Sequence, residues 1–210
     1  MTDRFPGHMG SILVVHSAAG HSGKTTLCRA LVRDLPFDVY IKLAHRASRV
    51  EVLSLARGTL VPAQGDTGRI ANIQRSRGLN ALHDVLLVDG PRGETDRAVA
   101  DLLASWPDGS RILIEGNCSP LPWRPRFLYV LPCPLPPTAK PDMTEMTRRA
   151  DLVVVNRFPG CSPSEQAALL ALLRDVHQGV AQIAGSLQEV HVLAEIEGAV
   201  ATLLPALTHP

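Results

Sequence analysis

The chain has 210 residues, a net charge of +1, 45% hydrophobic residues and 20% charged ones. That length supports one substantial core, and so small a charge gives no electrostatic case for nucleic acid or an anionic membrane surface as a partner. No apolar run approaches the roughly 20 residues that span a bilayer, and the start, Met1-Thr-Asp-Arg-Phe-Pro-Gly-His8, lacks a signal-peptide core, so one cytoplasmic domain over 1–210 is expected.

The first predicted element is a strand over Ser11–Val15. Small residues follow, then a helix over Lys24–Asp34. Between them lies Ala18-Ala-Gly-His-Ser-Gly-Lys-Thr-Thr26. Strand, glycine-rich loop and helix, joined through Gly-Lys-Thr, make a phosphate-binding loop. Glycine lets main-chain amides turn inward as an anion nest, and the helix points its N-terminus at the same charge. The expected nucleotide cradle is therefore Ala19, Gly20, His21, Ser22, Gly23, Lys24, Thr25 and Thr26. Lys24 would reach the β- and γ-phosphates, and Thr25 would place its hydroxyl on Mg²⁺. The usual pattern has glycine where Ala18 stands, which alanine tolerates if the backbone angle there is ordinary. His21 can touch phosphate or substrate, or simply face solvent.

A second strand, Asp38–Leu43, runs into Ile41-Lys-Leu-Ala-His-Arg46. Residues 44–80 then hold five glycines or prolines and seven arginines or histidines, with little periodicity. Cationic side chains after a parallel strand suit an anionic substrate. Lys42, His45, Asp66 and Arg69 are the expected contacts of a basic substrate or switch region; a solvated basic loop is the alternative.

Strands over Val85–Val88 and Arg111–Ile114 flank a helix over Asp96–Ser105. Each strand ends on an acid followed by glycine, Asp89-Gly90 and Glu115-Gly116. A carboxylate there, beside a phosphate loop, can hold Mg²⁺ directly or through water, orient an attacking water, or cap the next helix. Lys24, Asp89 and Glu115 are the expected catalytic residues, and Thr25, Glu115 and Asp89 the expected Mg²⁺-associated ones.

Residues 117–140 carry Pro120, Pro122, Pro125, Pro132, Pro134, Pro136 and Pro137, a density that excludes long helix and central strand through most of the segment. Phe127–Leu131 within it still reads as a strand. Cys133-Pro-Leu-Pro-Pro137 reads as an extended loop over the site rim or a rigid connector. Beyond it come a helix over Met143–Arg149, a strand over Leu152–Val155 and a helix over Pro163–Val176. Ser162 suits the cap of the last and Pro163 its first turn. A weaker strand, Val190–Leu193, and a helix, Glu195–Leu204, complete the pattern. Asn156-Arg157 stands where many phosphate-loop proteins hydrogen-bond a purine ring, although an asparagine there can also simply open a turn. Guanine-reading proteins place an aspartate two residues after that asparagine. Phe158 stands there, so ATP and GTP both stay open.

Near-continuous Val, Ile and Leu strands alternating with helices predict an α/β fold, a doubly wound, mostly parallel sheet of about seven strands flanked by helices. Ligands of such sheets sit beyond the carboxyl ends of the strands. The cysteines, Cys28, Cys118, Cys133 and Cys161, form no CxxC pair and are expected as free thiols. Cys118, Cys133 and Cys161 all follow predicted strands, which leaves a metal site as the alternative.

Gly20-His-Ser-Gly-Lys-Thr-Thr-Leu27, then Ile41-Lys-x-x-His45, then Gly65-Asp-Thr-x-Arg69, then Ile114-Glu-Gly116 resembles the molybdopterin-guanine-dinucleotide biosynthesis adapters, the MobB group, over about Ser11–Asn117. Downstream, Ala150-Asp-Leu-Val-Val-Val-Asn-Arg157 is similar to the nickel-delivery GTPases of hydrogenase and urease maturation. The resemblance implies a doubly wound phosphate-loop fold, nucleotide binding with weak GTP hydrolysis, homodimers and a supporting role in molybdenum-cofactor maturation. It would put Gly23, Lys24 and Thr25 on phosphate and Mg²⁺, make Glu115 the strand-end acid, and set Lys42, His45, Asp66 and Arg69 in the substrate region. This chain departs from the adapter pattern at Ala18, at a second histidine that is missing near His45, and at Glu115-Gly-Asn-Cys118, where a phenylalanine usually follows the glycine.

The sequence therefore reads as a Mg²⁺-dependent nucleoside triphosphatase, using ATP or GTP, that assists a cofactor-synthesis or metalloenzyme partner. An ATP-dependent small-molecule kinase or ligase acting on an anionic acceptor is one alternative. A non-catalytic, nucleotide-gated adapter is the other.

Overall fold

The structure, a computed structural model, describes residues 12–35, 37–58, 70, 82–118, 125–158, 160–176 and 182–185. Eight strands make one sheet: β1 (Ile12–Ser17), β2 (Val39–Ala44), β3 (Glu51–Ser54), β4 (Asp84–Asp89), β5 (Ile112–Glu115), β6 (Arg126–Cys133), β7 (Leu152–Arg157) and β8 (Gln182–Gly185). Their order is β3-β4-β2-β5-β1-β6-β7-β8. Every pairing is parallel except that of β3 on β4, which is antiparallel. Among the described residues, four helices flank the sheet: α1 (Lys24–Asp34), α2 (Arg92–Ser105), α3 (Met143–Arg149) and α4 (Pro163–Val176).

The strands are apolar on both faces because both are covered. Leu13, Val15, Tyr40, Val85, Leu113, Leu128 and Val154 face Leu27, Cys28 and Leu31 of α1. Their alternates Ile12, Val14, Ile41, Val88 and Ile114 face Val99 and Leu103 of α2. Farther along that second face, Tyr129, Leu131, Val153 and Val155 pack on Leu169 and Leu173 of α4. The start of α4 is a capping box: Glu165 N donates to Ser162 Oγ (3.2 Å), and Ser162 N donates back to Glu165 Oε2 (2.8 Å).

All six stronger predicted strands are present, each shifted by no more than two residues at an end. α2 begins earlier than the periodicity predicts, at Arg92. β3 and β8 raise the count above the expected seven. β3 lies inside the basic stretch 44–80 and is a four-residue edge strand with exposed Glu51 and Val52, too short to show alternation. The predicted Val190–Leu193 strand and Glu195–Leu204 helix lie outside the described residues, as do Asp66 and Arg69.

Two expectations are corrected. β6 runs through Pro132, in the middle of the sheet, despite the proline density around it. In the β1–β6 ladder Ala18 N donates to Val130 O (3.1 Å), so a residue at 132 would donate to Ala18 O. β1 has already ended at Ser17, and Ala18 O accepts instead from Lys140 N (2.8 Å). The donor that proline lacks is supplied by another residue. The second correction concerns the cysteines. Cys133 and Cys161 are joined in a disulfide, with Cα atoms 5.9 Å apart. They lie 28 residues apart in sequence, but Cys133 pairs with Arg157 in the β6–β7 register, and a turn after β7 brings Cys161 back. Cys118 is elsewhere, buried beside His16, so the three do not gather as one metal site.

Candidate functional site

β1 ends at Ser17 and α1 starts at Lys24, so the phosphate loop crosses the carboxyl end of the sheet. Left-handed backbone falls on Gly23 (φ 95°), the residue before α1, and on His21 (φ 53°). Gly23 is thus the position where glycine is required, whereas Ala18 needs no positive φ and is fully buried. The first turn of α1 carries no acidic residue, which leaves its positive end available to an anion. Ser22 Oγ is buried and, among the described residues, has no hydrogen-bond partner. A phosphate oxygen would supply one, so the cradle fits the group the sequence implies. Lys24 Nζ donates to Ser17 Oγ (2.6 Å), and Ser17 Oγ donates to Ala19 O (2.7 Å).

Beside the loop, Thr25 Oγ1 donates to Glu115 Oε1 at 2.6 Å. Lys42 Nζ lies 3.1 Å from the same carboxylate oxygen and 3.3 Å from Thr25 Oγ1. Tyr40 OH donates to Glu115 Oε2 at 2.5 Å. Tyr40 and Lys42 share a face of β2, two residues apart, and Lys42 pairs with Glu115 across the β2–β5 ladder. The sequence signal for Tyr40 was there, a period-two polar pair in an otherwise apolar strand. Two hard oxygen donors already holding an ammonium group suit Mg²⁺. Gly116, next after Glu115, has φ 137°, and a Cβ there would meet Leu43 Cβ at 2.6 Å.

Asp89 is placed differently. Its Oδ1 accepts from Arg46 N (2.8 Å) and Ala47 N (3.2 Å), and its Oδ2 pairs with the Arg46 guanidinium (2.9 Å). Burial pushes its carboxyl up, but these donors outweigh it and hold the group below the usual value. Asp89 therefore anchors the segment after β2, while Glu115 faces Thr25. His45 bridges two strand ends, its ring nitrogens 3.2 Å from Gly90 O and 3.2 Å from Asn117 O. Asn156 Nδ2 donates to Ser22 O (2.9 Å), tying the end of β7 to the phosphate loop. Arg157 is the last residue of β7.

Two further residues at this end, His16 and Lys140, were not singled out from sequence, and Cys118 was noted only as a possible metal ligand. His16 Nε2 accepts from Cys118 N (3.2 Å) and lies 3.5 Å from Cys118 Sγ. Burial first, then Lys140 and Lys24, push its pKa down to about 3, so the ring is neutral with its proton on Nδ1. Burial likewise pushes the Cys118 thiol up to about 12. Lys140, from the proline-rich stretch, donates Nζ to Ser17 O (3.0 Å). These contacts depend on chain crossings that spacing does not encode. Among the described residues, no group of three or more His, Cys, Asp or Glu is placed to hold a metal ion, and no helix is long and apolar enough to cross a membrane.

No protein-family model matches this chain, and no curated protein does. Solved structures do. The hydrogenase maturation factor HypB from Archaeoglobus fulgidus superposes with a TM-score of 0.60 at 14% identity, over 93% of this chain and 91% of that one. HypB from Helicobacter pylori, solved in complex with nickel, gives 0.53 at 13% identity, over 96% and 91%. The chain therefore shares the fold of these structures, a mostly parallel sheet with helices on both faces.

Proposed function

We propose that this chain binds a nucleoside triphosphate with Mg²⁺, hydrolyses it, and does so in the service of a metallocentre- or cofactor-maturation partner. One observation carries the nucleotide reading. Thr25 of the loop helix and Glu115, 90 residues on, meet at 2.6 Å beside the loop that delivers Lys24. A hydroxyl and a carboxylate so placed would hold Mg²⁺, which when bound draws charge from the β- and γ-phosphate oxygens. The loop amides and Lys24 would hold the phosphates, and Tyr40 and Lys42 keep the Glu115 carboxylate oriented. In hydrolysis a water oxygen bonds to the γ-phosphorus and the bond to the bridging oxygen breaks. Its electron pair leaves on the diphosphate, and the water protons pass to phosphate and solvent. Preorganised amides and ammonium groups lower that barrier by stabilising the charge as it spreads.

The maturation part rests on the descriptions of the HypB structures, one a hydrogenase maturation factor and one holding nickel. A homodimer rests on the family resemblance alone, and a cytoplasmic location on the sequence reading of the N-terminus and the apolar runs. With Lys42 engaged by Glu115, nothing in the described site favours an anionic acceptor over water.

Equilibrium titration with fluorescent ATP and GTP analogues in Mg²⁺ tests the reading. Lys24→Ala should weaken the better ligand about 100-fold, or about 2.7 kcal/mol. Equal affinity in wild type and variant would sink the assignment.

A further inference from the structure

We propose that Lys140 is a second phosphate-binding lysine, supplied in cis from the β6–α3 connection, that contacts the terminal phosphoryl group of the bound triphosphate. The proposal rests on the nucleotide reading above and assigns a discriminating role to a residue outside the phosphate loop.

Its placement begins with Pro132. Proline leaves Ala18 O without its ladder donor, and Lys140 N occupies that acceptor (2.8 Å). The main chain of Lys140 is thereby fixed at the first residue of the phosphate loop, on the β6 side of β1. Its side chain then crosses the end of β1. Val15 O accepts from Gly116 N, and Ser17 N donates to Asn117 Oδ1, so the N–H and C=O edge of these β1 residues faces β5. Lys140 Nζ bonds Ser17 O on that edge (3.0 Å).

That is the terminal-phosphate end of the site. Asn156 ties the loop on the β7 side, where the base is expected, and Thr25 with Glu115 define the Mg²⁺ position on the β5 side. The phosphates must run from the first to the second. Two ammonium groups, Lys24 Nζ on Ser17 Oγ and Lys140 Nζ on Ser17 O, thus converge on one residue. Like charges held together call for an anion between them. Burial and the nearby Lys24 lower the Lys140 pKa to about 8, a cost that a phosphoryl oxygen would remove.

The alternative is that Lys140 only caps the Ser17 carbonyl. That role is blind to the number of phosphates. Wild type, Lys140→Met and Lys140→Arg are titrated with GTPγS, ATPγS, GDP and ADP in Mg²⁺. Lys140→Met should lower the triphosphate-over-diphosphate preference about tenfold while leaving diphosphate affinity within about twofold, and Lys140→Arg should keep most of the preference. An unchanged preference in Lys140→Met overturns the proposal while the nucleotide reading stands. Failure of the wild type to bind any of the four overturns both. Should Lys140→Met not fold, the wild type itself decides. Amine acylation read by peptide mass spectrometry should show Lys140 protected by the triphosphate analogue that binds but not by its diphosphate. Equal labelling in the two overturns the proposal.

Discussion

Glu115 is 2% exposed, and its carboxylate receives Thr25, Tyr40 and Lys42, the last a cation. Removing that cation leaves a buried carboxylate with two neutral donors. Lys42→Met should therefore lower unfolding stability in urea by roughly 2 kcal/mol in the absence of metal. Saturating MgCl₂ should restore part of the loss, because Mg²⁺ and the ammonium group serve the same two oxygens. No recovery with Mg²⁺ would remove the cation-site reading of Thr25 and Glu115. Lys140 gives a second residue-scale outcome. Burial lowers its pKa from 10.5 to about 8, with Lys24 and Arg92 adding to the shift, Asp142 opposing it, and neutral His16 close by. Between those pH values the unfolded chain binds more protons than the folded one, so stability contributed at this site rises with pH across the window. The wild type should gain on Lys140→Met in urea denaturation from about pH 8 upward; parallel curves would mean that Lys140 titrates normally.

At the scale of elements, sequence legibility followed burial. Strands covered on both faces wrote themselves as runs of Val, Ile and Leu, and Ser162 with Pro163 announced α4. β3 escaped because a four-residue edge strand, with Glu51 and Val52 exposed and Ser54 buried, is too short to carry a period. The phosphate loop was legible because its chemistry is local, Gly23, Lys24 and Thr25 being consecutive. The choice between Asp89 and Glu115 was not, because both end apolar strands before a glycine. Only the sheet order decides, since β5 lies next to β1, whereas β2 and β5 both stand between β1 and β4. The same order gives Gly116 its meaning. The tight crossing of β2 and β5 leaves no room for a side chain, and φ 137° excludes one on backbone grounds as well. Gly116→Ala should cost about 2 kcal/mol or more and move Glu115 away from Thr25, weakening Mg²⁺-dependent nucleotide binding. Wild-type stability in that variant would show that the β5 end is not constrained as described.

For the whole molecule, the Cys133–Cys161 bridge closes a 28-residue separation across β6 and β7. Loop-closure entropy gives such a bridge about 3 kcal/mol, so reduction should lower the urea unfolding free energy by that order without changing the fold. The expectation of free thiols holds for Cys28 and Cys118 and failed for Cys133 and Cys161, because sequence distance says nothing of strand register. The carboxyl end of this sheet, between β5 and β7, is the proposed Mg²⁺–nucleoside triphosphate site. Its most direct test is a melting-temperature titration with ATP, GTP, ADP and GDP, each with and without Mg²⁺. A ligand that binds only the folded chain raises the melting temperature in step with its affinity. At least one triphosphate should give a rise that exceeds the rise with its diphosphate and shrinks when Mg²⁺ is withheld. No rise with any of the four in Mg²⁺ would contradict that assignment.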